Sequence, residues 1–460
     1  MKRILRGLFG LVGVTLLVLI VLFAVSRLRG PTAEQQEALV LLEEKDKPAG
    51  RNAFAAIWLL PYDVPESEQE DIAAADVRRF AATEPMGADA ADIAANAAPF
   101  ETVAAKRYPS LALSDPEREL LCNLRDAGCL AHVRAHKTEI AEIVDKHGRL
   151  IERTRALASY DYLRSGFPSR FDAPFAVISV NDGMKLVHTR NVLDFVEGRT
   201  TEALHGICAS AAPWRRIIRR PDILVDQMLG VAAISGAAAA FAEMLVELPA
   251  KYPLPAECAS AFSIATDDEL SSCAVMRGEF RYAGGVTASL IKAEDPTGNT
   301  LGNLLLPVIY DARMTRAQMA QGFAWPCTQA AKDQIRRDQP AAWPTPEVSF
   351  YRLECLGNAF GCVQEAIAAP GYVDYQLRMQ DYGARLKLVS SLLWLREHAA
   401  DRRPLAARLA ARPRELHSPT RAIEIVDGGR ALRIRQFEER RNTMWELPMP
   451  TYLTETALVR

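Results

Sequence analysis

YVDYQLRMQDYGARLKLVSSLLWL, residues 372–395, is the most legible stretch of the chain. Tyr372, Tyr375, Met379, Tyr382, Leu386, Val389 and Leu393 follow one another at alternate steps of three and four, the spacing of one apolar helical face. Arg378, Asp381 and Arg385 recur at the same steps on another face. The helix breaks up between Asp401 and Pro419. Beyond it RAIEIV, the turn Asp427-Gly428-Gly429 and RALRIRQF read as a β-hairpin.

Upstream the same period dominates. Val133, Ile140, Val144, Ile151 and Leu157 predict one long amphipathic helix over about 130–163. Further helices are expected at 184–197, 201–218 and 222–247, with Gly198 and Pro221 as breakers. Ser67 with Glu70, Ser114 with Glu117, Thr266 with Glu269 and Thr315 with Gln318 supply N-cap signals. Met228 to Ala242 carries no charge, yet its 15 residues reach only about 22 Å, too short to span a bilayer. Gly230, Gly236 and the alanines 237–240 make it a thin core helix against which neighbours pack closely.

At the amino terminus Lys2, Arg3 and Arg6 precede an uncharged apolar run from Leu8 to Val25, closed by Arg27 and Arg29. As a helix the run rises about 27 Å, close to the hydrocarbon core of a bilayer. The basic residues before it favour a cytoplasmic N-terminus. The rival reading, a signal peptide cleaved after Ser26, requires an h-region longer than the usual one. The fold class expected is therefore mainly α. A single N-terminal transmembrane helix precedes an extracytoplasmic multi-helix body of helical hairpins, which ends in a small C-terminal β-hairpin. Its parts are an anchor over 1–30, an acidic membrane-proximal region over 31–110, a disulfide-containing helical body over 111–370, and a long helix plus hairpin over 371–460. The Ala-rich stretch 81–100 reads as a loop.

Eight cysteines and no C-x-x-C pair suit disulfides in an oxidising compartment. Cys122 and Cys129 (CNLRDAGC) repeat the spacing of Cys355 and Cys362 (CLGNAFGC), each across a Gly-containing turn. Cys258 and Cys273 flank a third loop, while Cys208 and Cys327 stand apart. The absence of an N-x-S/T sequon fits a bacterial periplasm better than a glycosylating pathway. The location expected is the bacterial inner membrane, single-pass, with the body in the periplasm.

Composition excludes more than it selects. The 55 Lys and Arg against 57 Asp and Glu leave a net charge of −2, so no nucleic-acid partner is expected. Residues 31–105 hold 15 acids and 5 bases, whereas 378–441 hold 15 bases and 8 acids. The second region would suit an anionic partner, but single arginines among acids and alanines more often line solvated helices. The two regions would also suit mutual neutralisation across an interface.

Two constellations resemble catalytic ones. His132 and His136 (HVRAH) have helical metal-ligand spacing, though no Glu follows to complete H-E-x-x-H. Ser289 and Lys292 (SLIK) match S-x-x-K, in which the lysine activates the serine; the accompanying Ser179-Val180-Asn181 precedes rather than follows it, and no K-T-G is present. P-loop, G-x-G-x-x-G, G-x-S-x-G and EF-hand patterns are absent. No cofactor is expected, and the sequence favours a non-enzyme without deciding the matter. The expected function is binding or scaffolding in the cell envelope. Its partners would be the bilayer through residues 8–25 and an envelope protein. The alternative is an envelope hydrolase acting on cell-wall or lipid substrates.

Overall fold

A computed structural model describes residues 2–43, 48–84, 100–124, 127–175, 177–292, 308–343, 351–368, 372–438 and 443–454. Helix accounts for 66% and strand for 5%. Most of the 81–100 stretch lies outside the described residues.

The first helix, Lys2–Leu28, exposes its apolar side chains along most of its length and is long and apolar enough to cross a membrane. Among its described side chains, only those near its C-terminal end meet the body. A capping box of Thr32 and Gln35 then opens Ala33–Leu42, which packs against Ala312–Ala324. These two, with Cys273–Lys292 and the Trp325–Cys327 turn, enclose a core of Ala38, Leu42, Met276, Phe280, Phe323 and Trp343.

The larger core lies between Val177–Val196, Thr200–Arg219, Leu224–Glu247 and Val373–Glu397. The thin helix is buried as its composition predicts, 78% of its apolar window being enclosed. A Cβ at Gly236 would fall 2.9 Å from the Leu124 carbonyl oxygen, so only glycine permits that approach.

The helix expected over 130–163 is instead three: Cys129–Ala135, Lys137–Lys146 and Gly148–Ala156. The backbone leaves the helical region at His136 (φ −121°, ψ 33°) and His147 (φ −102°, ψ 25°). Val133, Ile140, Val144, Ile151 and Leu157 are all buried nonetheless. Each short rod packs on Val177–Val196, and the two breaks let the stripe follow a curve that one straight helix would leave. Two N-cap expectations also fail. The helix Glu66–Ala81 starts after Pro65, ahead of Ser67. Asp311, not Thr315, caps Ala312–Ala324 by accepting from the Met314 amide at 3.0 Å. Thr315 and Gln318 are buried inside that helix, bonded to Asn358. The caps at Ser114 and Thr266 form as expected.

The expected hairpin is a three-stranded antiparallel sheet, β1 (Ile423–Val426), β2 (Ala431–Arg435) and β3 (Met444–Pro448), in the order β1-β2-β3. Its register pairs Ile423 with Ile434 and Leu432 with Leu447, which puts these side chains on the face that meets Val373–Glu397 and Leu224–Glu247. The turn needs Asp-Gly-Gly because residues 427, 428 and 429 all have positive φ (51°, 63° and 93°).

Four disulfides join Cys122–Cys129, Cys355–Cys362, Cys208–Cys258 and Cys273–Cys327, leaving no free cysteine. Cys258 and Cys273 therefore do not close the loop between them. Cys258 faces Cys208 on Thr200–Arg219, and Cys273 faces the end of the Trp325–Cys327 turn.

The basic C-terminal region is only in part a solvated surface: Arg402, Arg403, Arg414, Arg430 and Arg435 are exposed. Arg396, Arg408, Arg412 and Arg421 are buried and donate to backbone carbonyls, among them those of Tyr252, Leu453, Leu416 and Gln380. The second face of the long helix meets the C-terminal segment. Arg378 pairs with Glu438 at 3.6 Å, and Asp381 accepts from the Phe437 and Glu438 amides and from Arg421. Arg385 bridges Gln436 and Ser235.

Candidate ligand cavity

A cavity of about 930 Å³ opens between Gly148–Ala156, Val177–Val196, Thr200–Arg219 and the segment 253–255. Its volume lies at the upper end of the range of about 300–1,000 Å³ typical of small-molecule sites. Leu157, Met184, Val187, Trp214, Ile217 and Leu254 make its walls mainly apolar.

The polar groups around it decide what it can hold. Val177–Val196 buries five polar side chains, and four take a partner from within the protein, although the Asn191 amide nitrogen is left without one. Asp182 takes Arg118 at 2.7 Å. Thr189 accepts from the Cys122 amide and donates to the Lys185 carbonyl. Asn191 accepts from Arg155 at 2.9 Å. Asp194 holds Arg190 at 2.9 Å and also Arg199. The fifth is His188. It is 5% exposed, lines the cavity, and makes no ring hydrogen bond among the described residues. Burial holds its pKa down, from 6.5 to about 4, so at neutral pH the imidazole is uncharged and offers one donor and one acceptor. A ligand that fits is chiefly apolar, with a hydroxyl, carbonyl or similar group placed to meet His188.

The cavity wall is pinned rather than loose. Cys258 is bonded to Cys208 on Thr200–Arg219, Glu257 pairs with His205, and the Tyr252 hydroxyl lies 3.1 Å from Thr201 Oγ1. These three links bracket Pro253, Leu254 and Pro255. At the facing wall a Cβ on Gly206 would collide with the Asn191 amide, so glycine there sets the spacing of the two helices.

A stability test follows from the His188 environment. In the native state it binds its proton only near pH 4, whereas in the unfolded chain it does so near 6.5. Stability is thus complete above pH 6.5 and falls as pH drops towards 4, by about 1.4 kcal/mol per pH unit and about 3 kcal/mol in all. His188→Leu should remove this dependence. Denaturant unfolding of both proteins between pH 4 and 7.5 reads it as a loss of wild-type stability relative to the variant on acidification, and parallel profiles would refute it.

The residues singled out from sequence lie elsewhere. His132 and His136 face one another with ring centroids 4.9 Å apart, and His132 Nε2 sits 2.9 Å from the Leu120 carbonyl. Among the described residues no three His, Cys, Asp or Glu side chains form a metal-binding group. Ser289 donates to the Val286 carbonyl at 2.8 Å, and the Lys292 side chain lies outside the described residues. Sequence reading missed His188, whose one signal is a helix with polar residues on every face. Such a helix, once buried, has to partner each of them. Comparison of the chain with family models, curated proteins and solved structures finds no match.

Proposed function

We propose that the chain is a single-pass cell-envelope protein whose helical body binds an amphipathic, mainly apolar small molecule. Its N-terminus would lie in the cytoplasm and its body in the periplasm. The basic residues before the apolar run support that orientation, and the four disulfides support an oxidising compartment. The observation that carries the binding reading is an apolar cavity of about 930 Å³ whose wall holds His188, a ring that bonds no other described residue. Protein interiors are close-packed, so a void of this size is unusual. It favours an occupant that fills it and bonds the imidazole facing it. The hydrolase alternative would call for convergent carboxylates or a Ser–Lys contact; of these, the Ser289 hydroxyl donates within its own helix.

Ala209, an exposed residue at the cavity lining, gives a clean block. Titration of full-length protein with 11-(dansylamino)undecanoic acid should show saturable binding, weakened at least about tenfold, or 1.4 kcal/mol, by Ala209→Trp. Solvent extracts of wild type purified from its own membranes should contain a small molecule missing from that variant. Equal probe binding by the two proteins would end the cavity reading.

A further inference from the structure

We propose that the body does not hang from its anchor but lies on the bilayer, through an apolar rim formed by Val308, Ile309, Tyr351, Leu356 and Val363. The proposal rests on the reading that Lys2–Leu28 spans the membrane, and it goes beyond that reading in assigning a second lipid contact outside the first helix.

The first observation is the absence of a linker. Where the helix leaves its apolar run it is built into the body. Ser26 is buried, accepts from the Gly357 amide at 3.0 Å and donates to the Glu354 carbonyl at 3.4 Å. Arg27 donates to the carbonyls of Val308 and Tyr310, each at 2.9 Å, and lies 3.8 Å from Asp311. Arg313 donates to the Arg29 carbonyl at 3.2 Å. A side chain at Gly357 would strike Ser26 and Arg27. The direction of the helix is thereby set relative to the body.

The second observation is what surrounds that junction. Val308 (44%), Ile309 (37%), Leu356 (45%) and Val363 (45%) are exposed, and Tyr351 is fully so. Val308, Ile309 and Leu356 each carry, or adjoin, a backbone group touched by Ser26 or Arg27. Val363 follows Cys362, which the disulfide fixes to Cys355 beside Leu356. Among the described residues nine large apolar side chains outside the first helix are exposed; four are tied to the junction in this way, and Tyr351 adjoins Arg352, whose guanidinium pairs with Glu354 at 3.7 Å and reaches Cys362 Sγ. Clustering of this kind marks an interaction surface, whereas scattered apolar residues do not.

The occupant follows from position. With the apolar run in the hydrocarbon, Ser26 and Arg27 sit at its boundary, and groups bolted to them sit at the same depth. Aliphatic side chains with a tyrosine among them match the interfacial zone, where apolar bodies enter and hydroxyls stay wet. A soluble partner would have to compete with headgroups for a face already held against them.

Every native cysteine is in a disulfide, so an introduced cysteine is the single reactive thiol. Nitroxide labels at Ile309→Cys and Tyr351→Cys are measured in the full-length protein in phosphatidylcholine–phosphatidylglycerol liposomes. Val18→Cys in the first helix is the lipid reference, and Glu424→Cys, at the exposed position of β1, is the aqueous one. The ratio of oxygen to nickel-chelate collision rates should be at least threefold higher at 309 and 351 than at 424. A ratio below threefold at 309 and 351, with 18 high, overturns the docking surface and leaves the span standing. A ratio at 18 as low as that at 424 overturns both.

Discussion

Arg421→Met is expected to destabilise the protein by about 3–5 kcal/mol, the usual loss when one partner of a buried ion pair is removed. Arg421 is 3% exposed. It holds Asp338 through Nε at 3.0 Å and through Nη2, meets Asp381 Oδ1 at 2.8 Å, and stacks 3.9 Å from the centroid of Phe437. Asp338 and Asp381 are themselves buried. Methionine keeps much of the volume but strands both carboxylates. Burial already pushes the Asp381 carboxyl above its ordinary range. Without Arg421 it rises further, so the deficit should be largest at neutral pH and shrink on acidification. Asp381→Asn on the Arg421→Met background should recover part of the loss, which a double-mutant cycle by denaturant unfolding measures. A deficit under about 1 kcal/mol at pH 7 would mean that water reaches the network and that it does not hold the sheet to the long helix.

Removal of either long-range disulfide should cost nearly as much. Cys208–Cys258 and Cys273–Cys327 span 50 and 54 positions, for which chain entropy gives about 4 kcal/mol each. Cys122–Cys129 and Cys355–Cys362 each span 7, for about 2.5 kcal/mol. Paired Cys→Ala variants, compared by denaturant unfolding, should fall in that order. Alkylation of denatured protein should find no thiol before reductant and eight after it. Loss of Cys208–Cys258 should also weaken probe binding, since it frees the wall at Leu254. If that pair proves no costlier than Cys122–Cys129, loop closure is not what sets the contribution.

What was legible in the sequence is what depends on neighbours along the chain. The stripe from Tyr372 to Leu393, the thin helix around Gly236, the caps at Ser114 and Thr266 and the Asp-Gly-Gly turn are all local, and all form. So do the two short disulfides, because seven residues place the partners in reach wherever the rest of the chain goes. The breaks at His136 and His147 were hidden, because an unbroken stripe marks which side is buried and not whether the axis bends. β3 was hidden because five residues ending in proline carry too little alternation to be read alone. Whether a charged or polar side chain is solvated, bonded or waiting for a ligand is likewise not written beside it. Arg421 reads as a surface residue until Asp338 and Asp381 arrive from 83 and 40 positions away. Arg155 reaches the Asn191 side-chain oxygen from 36 positions away, whereas no described residue bonds the His188 ring. Periodicity sets secondary structure through contacts three and four residues apart, whereas cavities and buried charges belong to surfaces that meet only when distant segments pack.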